Sequence, residues 1–134
     1  MNISNGIGET MGKVTVDVLL KLHQVAILMH GGSDGVLDEG TLHYLTEKVS
    51  HCSDPVLMAA YLLHGIATMH PFFDGNKRTA LMAADTVLGL HGMMITASND
   101  AAASFVLSVA RGEKTEDQVE KWIGKNSDMY RLLT

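Results

Sequence analysis

Residues 56–69 constrain the chain most, because they are apolar on nearly every side, with Leu57, Met58, Leu62, Leu63, Ile66 and Met69 among them. A helix without a polar face has to be covered all round, which makes it a central element. Residues 79–90, with Ala80, Leu81, Met82, Ala83, Ala84, Val87 and Leu88, have the same character. The two segments are expected to form the buried middle of a helical bundle. Between them stands His70-Pro71-Phe72-Phe73-Asp74-Gly75-Asn76-Lys77-Arg78, a knot of charge joining two buried helices. Charge in such a place needs a physical reason.

The remaining segments supply cover for that pair. Thr15 can cap a helix running to about residue 30, with Val18, Leu19, Leu22, Val25, Ala26 and Met29 at three- and four-residue spacing. Gly31, Gly32 and Gly35 then break it, since glycine readily takes the positive φ of a turn. Asp38 is placed to cap a short helix to about residue 49, and Pro55 fits the first position of the central one. Residues 93–96 are expected to be briefly extended. Asn99 or Asp100 can cap a further helix, and Thr115 with Gln118 fits the capping-box pattern for a last one presenting Val119, Trp122 and Ile123. The expectation is an all-α domain over residues 14–125, with tails at 1–13 and 126–134.

Composition excludes several classes of function. A net charge of −5, from 15 acidic against 10 basic side chains, makes direct nucleic-acid binding a poor fit. Cys52 is the only cysteine, so no intramolecular disulfide can form. Residues 1–14 show no secretory apolar block, and the apolar runs are interrupted by His64, Asp85 and His91, which argues against a membrane span. A cytoplasmic protein is expected. The histidines lack the paired spacings of a structural zinc site, and His23, His43 and His91 are expected to be ordinary helix residues.

Residues 70–78 carry the chemistry. Asn76 is expected to be the N-cap of the second central helix, with Lys77 and Arg78 in its first turn. Free N–H groups and the helix dipole already favour negative charge there, so two cations are unfavourable by up to about 1 kcal/mol each unless an anion compensates. The pattern points to a polyanion such as phosphate, held by backbone donors and by Lys77 and Arg78, with Gly75 allowing close approach. Asp74 is a hard oxygen ligand of the type Mg²⁺ uses beside substrate phosphates. His70 suits a general base. Base, metal ligand and anion cradle suffice for phosphoryl or nucleotidyl transfer. Taken singly, each residue also has a structural reading, and Asp-Gly-Asn is a common turn sequence. Phe72 is expected to anchor the loop inward, Phe73 to point either way, and Asp85, two turns after Arg78, either to orient Arg78 or Lys77 or to be solvated or capped.

These residues match a known pattern. The stretch from His70 to Arg78 resembles the signature loop of the Fic/Doc superfamily, H-P-F-x-[DE]-G-N-[GK]-R, at every specified position. Leu22-His23 and the segment Gly31-Gly32-Ser33-Asp34-Gly35-Val36-Leu37-Asp38-Glu39-Gly40-Thr41-Leu42 resemble the Doc, or death-on-curing, branch. Lys77 in place of a second glycine and Leu81 in place of a second arginine are Doc-like. The resemblance implies a compact all-α bundle of about six helices. It also implies a toxin kinase that passes the γ-phosphate of ATP to a Ser or Thr hydroxyl of a target protein such as translation elongation factor Tu. His70 would be the catalytic base and Asp74 would hold Mg²⁺ or help orient the acceptor. Gly75, Asn76, Lys77 and Arg78 would hold ATP. An AMP transferase of the Fic type and an inactive helical binding module are the alternatives. The self-inhibitory pattern [ST]-x-x-x-E-[GN] of some relatives is met neither around Glu9 nor around Glu39, so inhibition by a partner antitoxin is expected.

Overall fold

The computed structural model describes residues 13–130. Its elements in chain order are α1 (Val16–His30), α2 (Glu39–Ser50), α3 (Pro55–Met69), α4 (Asn76–Leu90), β1 (Met93–Ile95), α5 (Asn99–Ala110), α6 (Glu116–Lys125) and β2 (Ser127–Met129). The expected tail over residues 1–13 lies outside the described residues except for Lys13, as does the segment around Glu9.

Local chemistry explains most boundaries. Thr15, Asp38, Asp54, Ser98 and Thr115 each accept a backbone N–H at a helix start, and Thr115 with Gln118 closes a full capping box. The cap of α5 is thus Ser98 and not Asn99 or Asp100, since the Ser98 hydroxyl reaches Ala101 N–H at 3.1 Å. Residues 93–95 are extended as expected. Their partner is a correction: residues 127–129, expected in the C-terminal tail, pair antiparallel with β1, Met94 opposite Asp128. Three-residue strands are too short to leave a periodic signal.

The central position of α3 is confirmed. Every residue in it is at least half-buried except Met69, and it packs against α2, α4, α5 and α6. Gly65 lies against Leu45 of α2, where a Cβ would collide with the leucine side chain. The second central helix is less enclosed: α4 buries Thr79, Ala80, Ala83, Ala84, Val87 and Leu88 but exposes Lys77, Arg78 and Asp85. In α1 the core face is Leu19, His23 and Ala26, whereas Val25 and Met29, expected to be buried, are exposed. Lys48 of α2 ties the far side of the bundle to α6 through Glu116 at 2.9 Å, with its ammonium 4.2 Å from the Tyr61 ring centroid. No helix among the described residues is long and apolar enough to cross a membrane.

Candidate active site

The loop between α3 and α4 starts from an unusual backbone. His70, which caps α3, has φ 50 and ψ 61 and is the only non-glycine with positive φ among the described residues. Pro71 disfavours the right-handed helical region for the residue before it, so α3 has to stop there. His70 itself is exposed, whereas Pro71 is buried. Phe72 turns inward and is fully buried, while Phe73 is 62% exposed.

Two devices then fix the loop. Asn76 binds the Phe72 peptide on both sides: Phe72 N–H donates to Asn76 Oδ1 at 3.0 Å, and Asn76 Nδ2 donates to Phe72 O at 2.9 Å. The expectation that Asn76 caps α4 is therefore corrected. The cap is Gly75, at φ 75, which has no side chain to accept from the first-turn amides of α4. The second device is the segment after α1. Phe73 N–H donates to Gly35 O, Leu37 N–H to Pro71 O, and Val36 forms an antiparallel bridge with Phe72. Gly32 and Gly35 permit this approach, since a Cβ on Gly32 would lie 2.7 Å from Asp74 Oδ2 and one on Gly35 would lie 2.5 Å from Phe73 Cδ2.

The first bond within α4 is Thr79 N–H to Gly75 O, so the amides of Asn76, Lys77 and Arg78 have no acceptor inside the helix. Lys77 and Arg78 are exposed, and neither forms an ion pair among the described residues. Asp85 is exposed and forms an ion pair with neither of them among the described residues, so it does not orient them by direct contact. Asp74, Gly75, Asn76, Lys77 and Arg78 share one cavity of about 290 Å³ with His30, Gly31 and Gly32. His70 does not line it. A larger cavity of about 450 Å³ between the start of α1 and the end of α2 contains a single cation, Lys13, and no residue of the loop.

The donor set fits a phosphate-bearing guest: three amides and two cations without partners among the described residues, and a glycine at the point of approach. Asp74 accepts from Gly75 N–H at 2.9 Å and from Ser33 N–H at 3.2 Å, which holds its carboxylate at the cavity wall with lone pairs to spare. No group of three or more His, Cys, Asp or Glu that could hold a metal exists among the described residues. One carboxylate is what Mg²⁺ needs from a protein when phosphates and waters complete its shell.

His23 is a further residue that differs from the sequence expectation. It is 1% exposed and not an ordinary helix residue. Its ring stacks on Phe72, with centroids 3.9 Å apart and planes 3° from parallel, and Nε2 lies 2.8 Å from the Asp74 carbonyl oxygen. The signal was present: His23 shares a helical face with Leu19 and Ala26, so the spacing puts it inside.

Residues 13–88 match the family model described as the Fic/DOC family. Over 52 residues the chain is 42% identical to a Fido domain-containing protein of Dictyostelium discoideum, covering 36% of each protein, so it spans little more than a third of that relative. Over 109 residues it is 29% identical to protein kinase doc of Escherichia phage P1, covering 77% of this chain and 86% of that protein. The longer match thus runs to the Doc side of the family, as Lys77 and Leu81 lead one to expect.

Proposed function

The chain belongs to the Fic/DOC family, and from that premise we propose that it is a Doc-type kinase, transferring the γ-phosphate of ATP to a Ser or Thr hydroxyl of a target protein. The observation that supports this most is the start of α4, where Lys77 and Arg78, without an ion pair among the described residues, stand beside three amides that no helical carbonyl accepts. A helix start arranged this way is unfavourable when empty and favourable around a polyphosphate.

In this reading each residue has one task. A ring nitrogen of His70 takes the proton from the acceptor hydroxyl as its oxygen attacks phosphorus, and ADP leaves with the bridging oxygen. Gly75 and the first-turn amides hold phosphate oxygens, Lys77 and Arg78 neutralise their charge, and Asp74 would hold Mg²⁺ or orient the acceptor. Mg²⁺, when bound, supplies further charge neutralisation on the phosphates. The bonds of Asn76 to Phe72 assign its side chain to the loop, so its share in the cradle is its backbone N–H. Two features support phosphoryl over AMP transfer: the similarity to a protein kinase, and Leu81. That side chain, where AMP-transferring relatives have an arginine, faces a separate cavity with Met82, Asp85 and Ile95 and offers no donor to a phosphate. A translation factor as target and an antitoxin as inhibitor complete the proposal, and both come from the resemblance.

The test is incubation with cell lysate and ATP labelled at either the α- or the γ-phosphate. Label from the γ position is the expected result. Label from the α position alone would establish the AMP transferase, and none from either would leave the binding module.

A further inference from the structure

His23 is the only buried ionisable side chain among the described residues, and no step of the transfer chemistry uses it. One face, both nitrogens and one edge of its ring have near neighbours. One face stacks on Phe72. Nε2 meets the Asp74 carbonyl at 2.8 Å, and a carbonyl only accepts, so Nε2 carries the hydrogen. Nδ1 lies 3.6 Å from Asp34 Oδ1, in the glycine segment after α1. Gly75 sits against the same edge, since a Cβ there would be 3.7 Å from Nε2.

A buried phenylalanine would fill this space and stack on Phe72 equally well, without bringing polar nitrogens into the core. What the imidazole adds is the hydrogen bond to Asp74 O. That carbonyl belongs to the Asp74–Gly75 peptide, the link between the carboxylate at the cavity wall and the amides that open α4. We propose that His23 is a positioning residue for the transfer site: its Nε2–H fixes the orientation of this peptide, and thereby aims the Asp74 carboxylate and the first-turn amides of α4 at one guest. Its activity readout rests on the kinase reading above, whereas its structural readout does not.

Two substitutions separate positioning from packing. His23→Phe keeps the stacked ring and removes the donor. His23→Gln gives up the ring and retains an N–H near the place of Nε2. In His23→Phe, turnover with γ-labelled ATP is expected to fall about tenfold or more, with a smaller rise in KM for ATP, because small displacements of reacting groups are costly. Hydrogen exchange at the Phe72, Phe73 and Gly75 amides, all bonded within the loop region, is expected to quicken. His23→Gln should recover most of the turnover and the slow exchange even where its melting temperature is lower. Wild-type turnover and exchange in His23→Phe would overturn the proposal. So would losses that follow melting temperature across the two variants. If the wild-type protein transfers no label at all, the kinase reading falls. The exchange rates alone then decide the role of His23: fast in Phe and slow in Gln supports it, and equal rates refute it.

Discussion

His70 occupies a left-handed conformation that is unfavourable for a residue with a Cβ by about 1–2 kcal/mol. The loop beyond it supplies more than that. Burying the Phe72 side chain contributes about 1.5–3 kcal/mol, and each of the two Asn76 hydrogen bonds adds about 1 kcal/mol. The strained His70 backbone is therefore held by its neighbours and not by contacts of its own, since this residue is exposed. His70→Ala should accordingly reduce transfer by about 10²- to 10⁴-fold, the usual worth of a general base, while the thermal melt stays within a few degrees of wild type. Full activity in that variant would remove His70 from the mechanism. Asn76→Ala should behave differently, because it leaves the Phe72 N–H and carbonyl unsatisfied. A loss of about 1–3 kcal/mol is expected in a denaturant titration.

At the scale of elements, the close approach of the segment after α1 to the loop between α3 and α4 depends on two glycines. Gly35 has φ 138, and an added methyl would enter the Phe73 ring. Gly35→Ala should displace the bridge between Val36 and Phe72 and weaken ATP binding through Asp74, whose carboxylate is steadied by Ser33 of that segment. Calorimetric titration with ATP would read the effect. On the opposite side, Lys48 joins α2 to α6. Burial works against its ammonium, but the hydrogen bond and charge of Glu116, with Tyr44 and Tyr61 close by, outweigh burial and raise its pKa above the ordinary 10.5. A folded-state pKa above the unfolded one means that this stabilisation is fully present below the unfolded value and is lost as pH rises through the folded one. The denaturation midpoint should therefore fall in alkali above about pH 10, and the Lys48→Met variant should show a shallower fall.

For the whole molecule, a net charge of −5 sits beside a local cationic cradle, so under the proposed function attraction for ATP would be a property of one helix start and not of the protein's overall field. Binding to the folded state alone stabilises it, by about 2.7 kcal/mol at a hundredfold excess over Kd. ATP with Mg²⁺ should accordingly raise the melting temperature of the wild-type protein. The rise should vanish in the double variant Lys77→Ala, Arg78→Ala and persist in Lys121→Ala, whose ammonium is paired with Asp117 away from the cavity.

What the chain order alone determined is local in origin. Hydrophobic spacing marks the helices, Thr15, Asp38 and Thr115 mark starts, and the all-round apolar character of residues 56–69 marks the centre, because each signal lies within a few residues. The two cations at the start of α4 also implied an anionic guest without any tertiary information. Other features were decided only in three dimensions. The His23 bond to Asp74 spans 51 residues and the Ser33 bond to the same aspartate spans 41. The pairing of residues 127–129 with β1 has the same character. No local period records such contacts. The Asn76 side chain, only four residues from Phe72, was misassigned for a related reason: Asn can cap a helix or brace a turn, and only the packed position of Phe72 selects between the two.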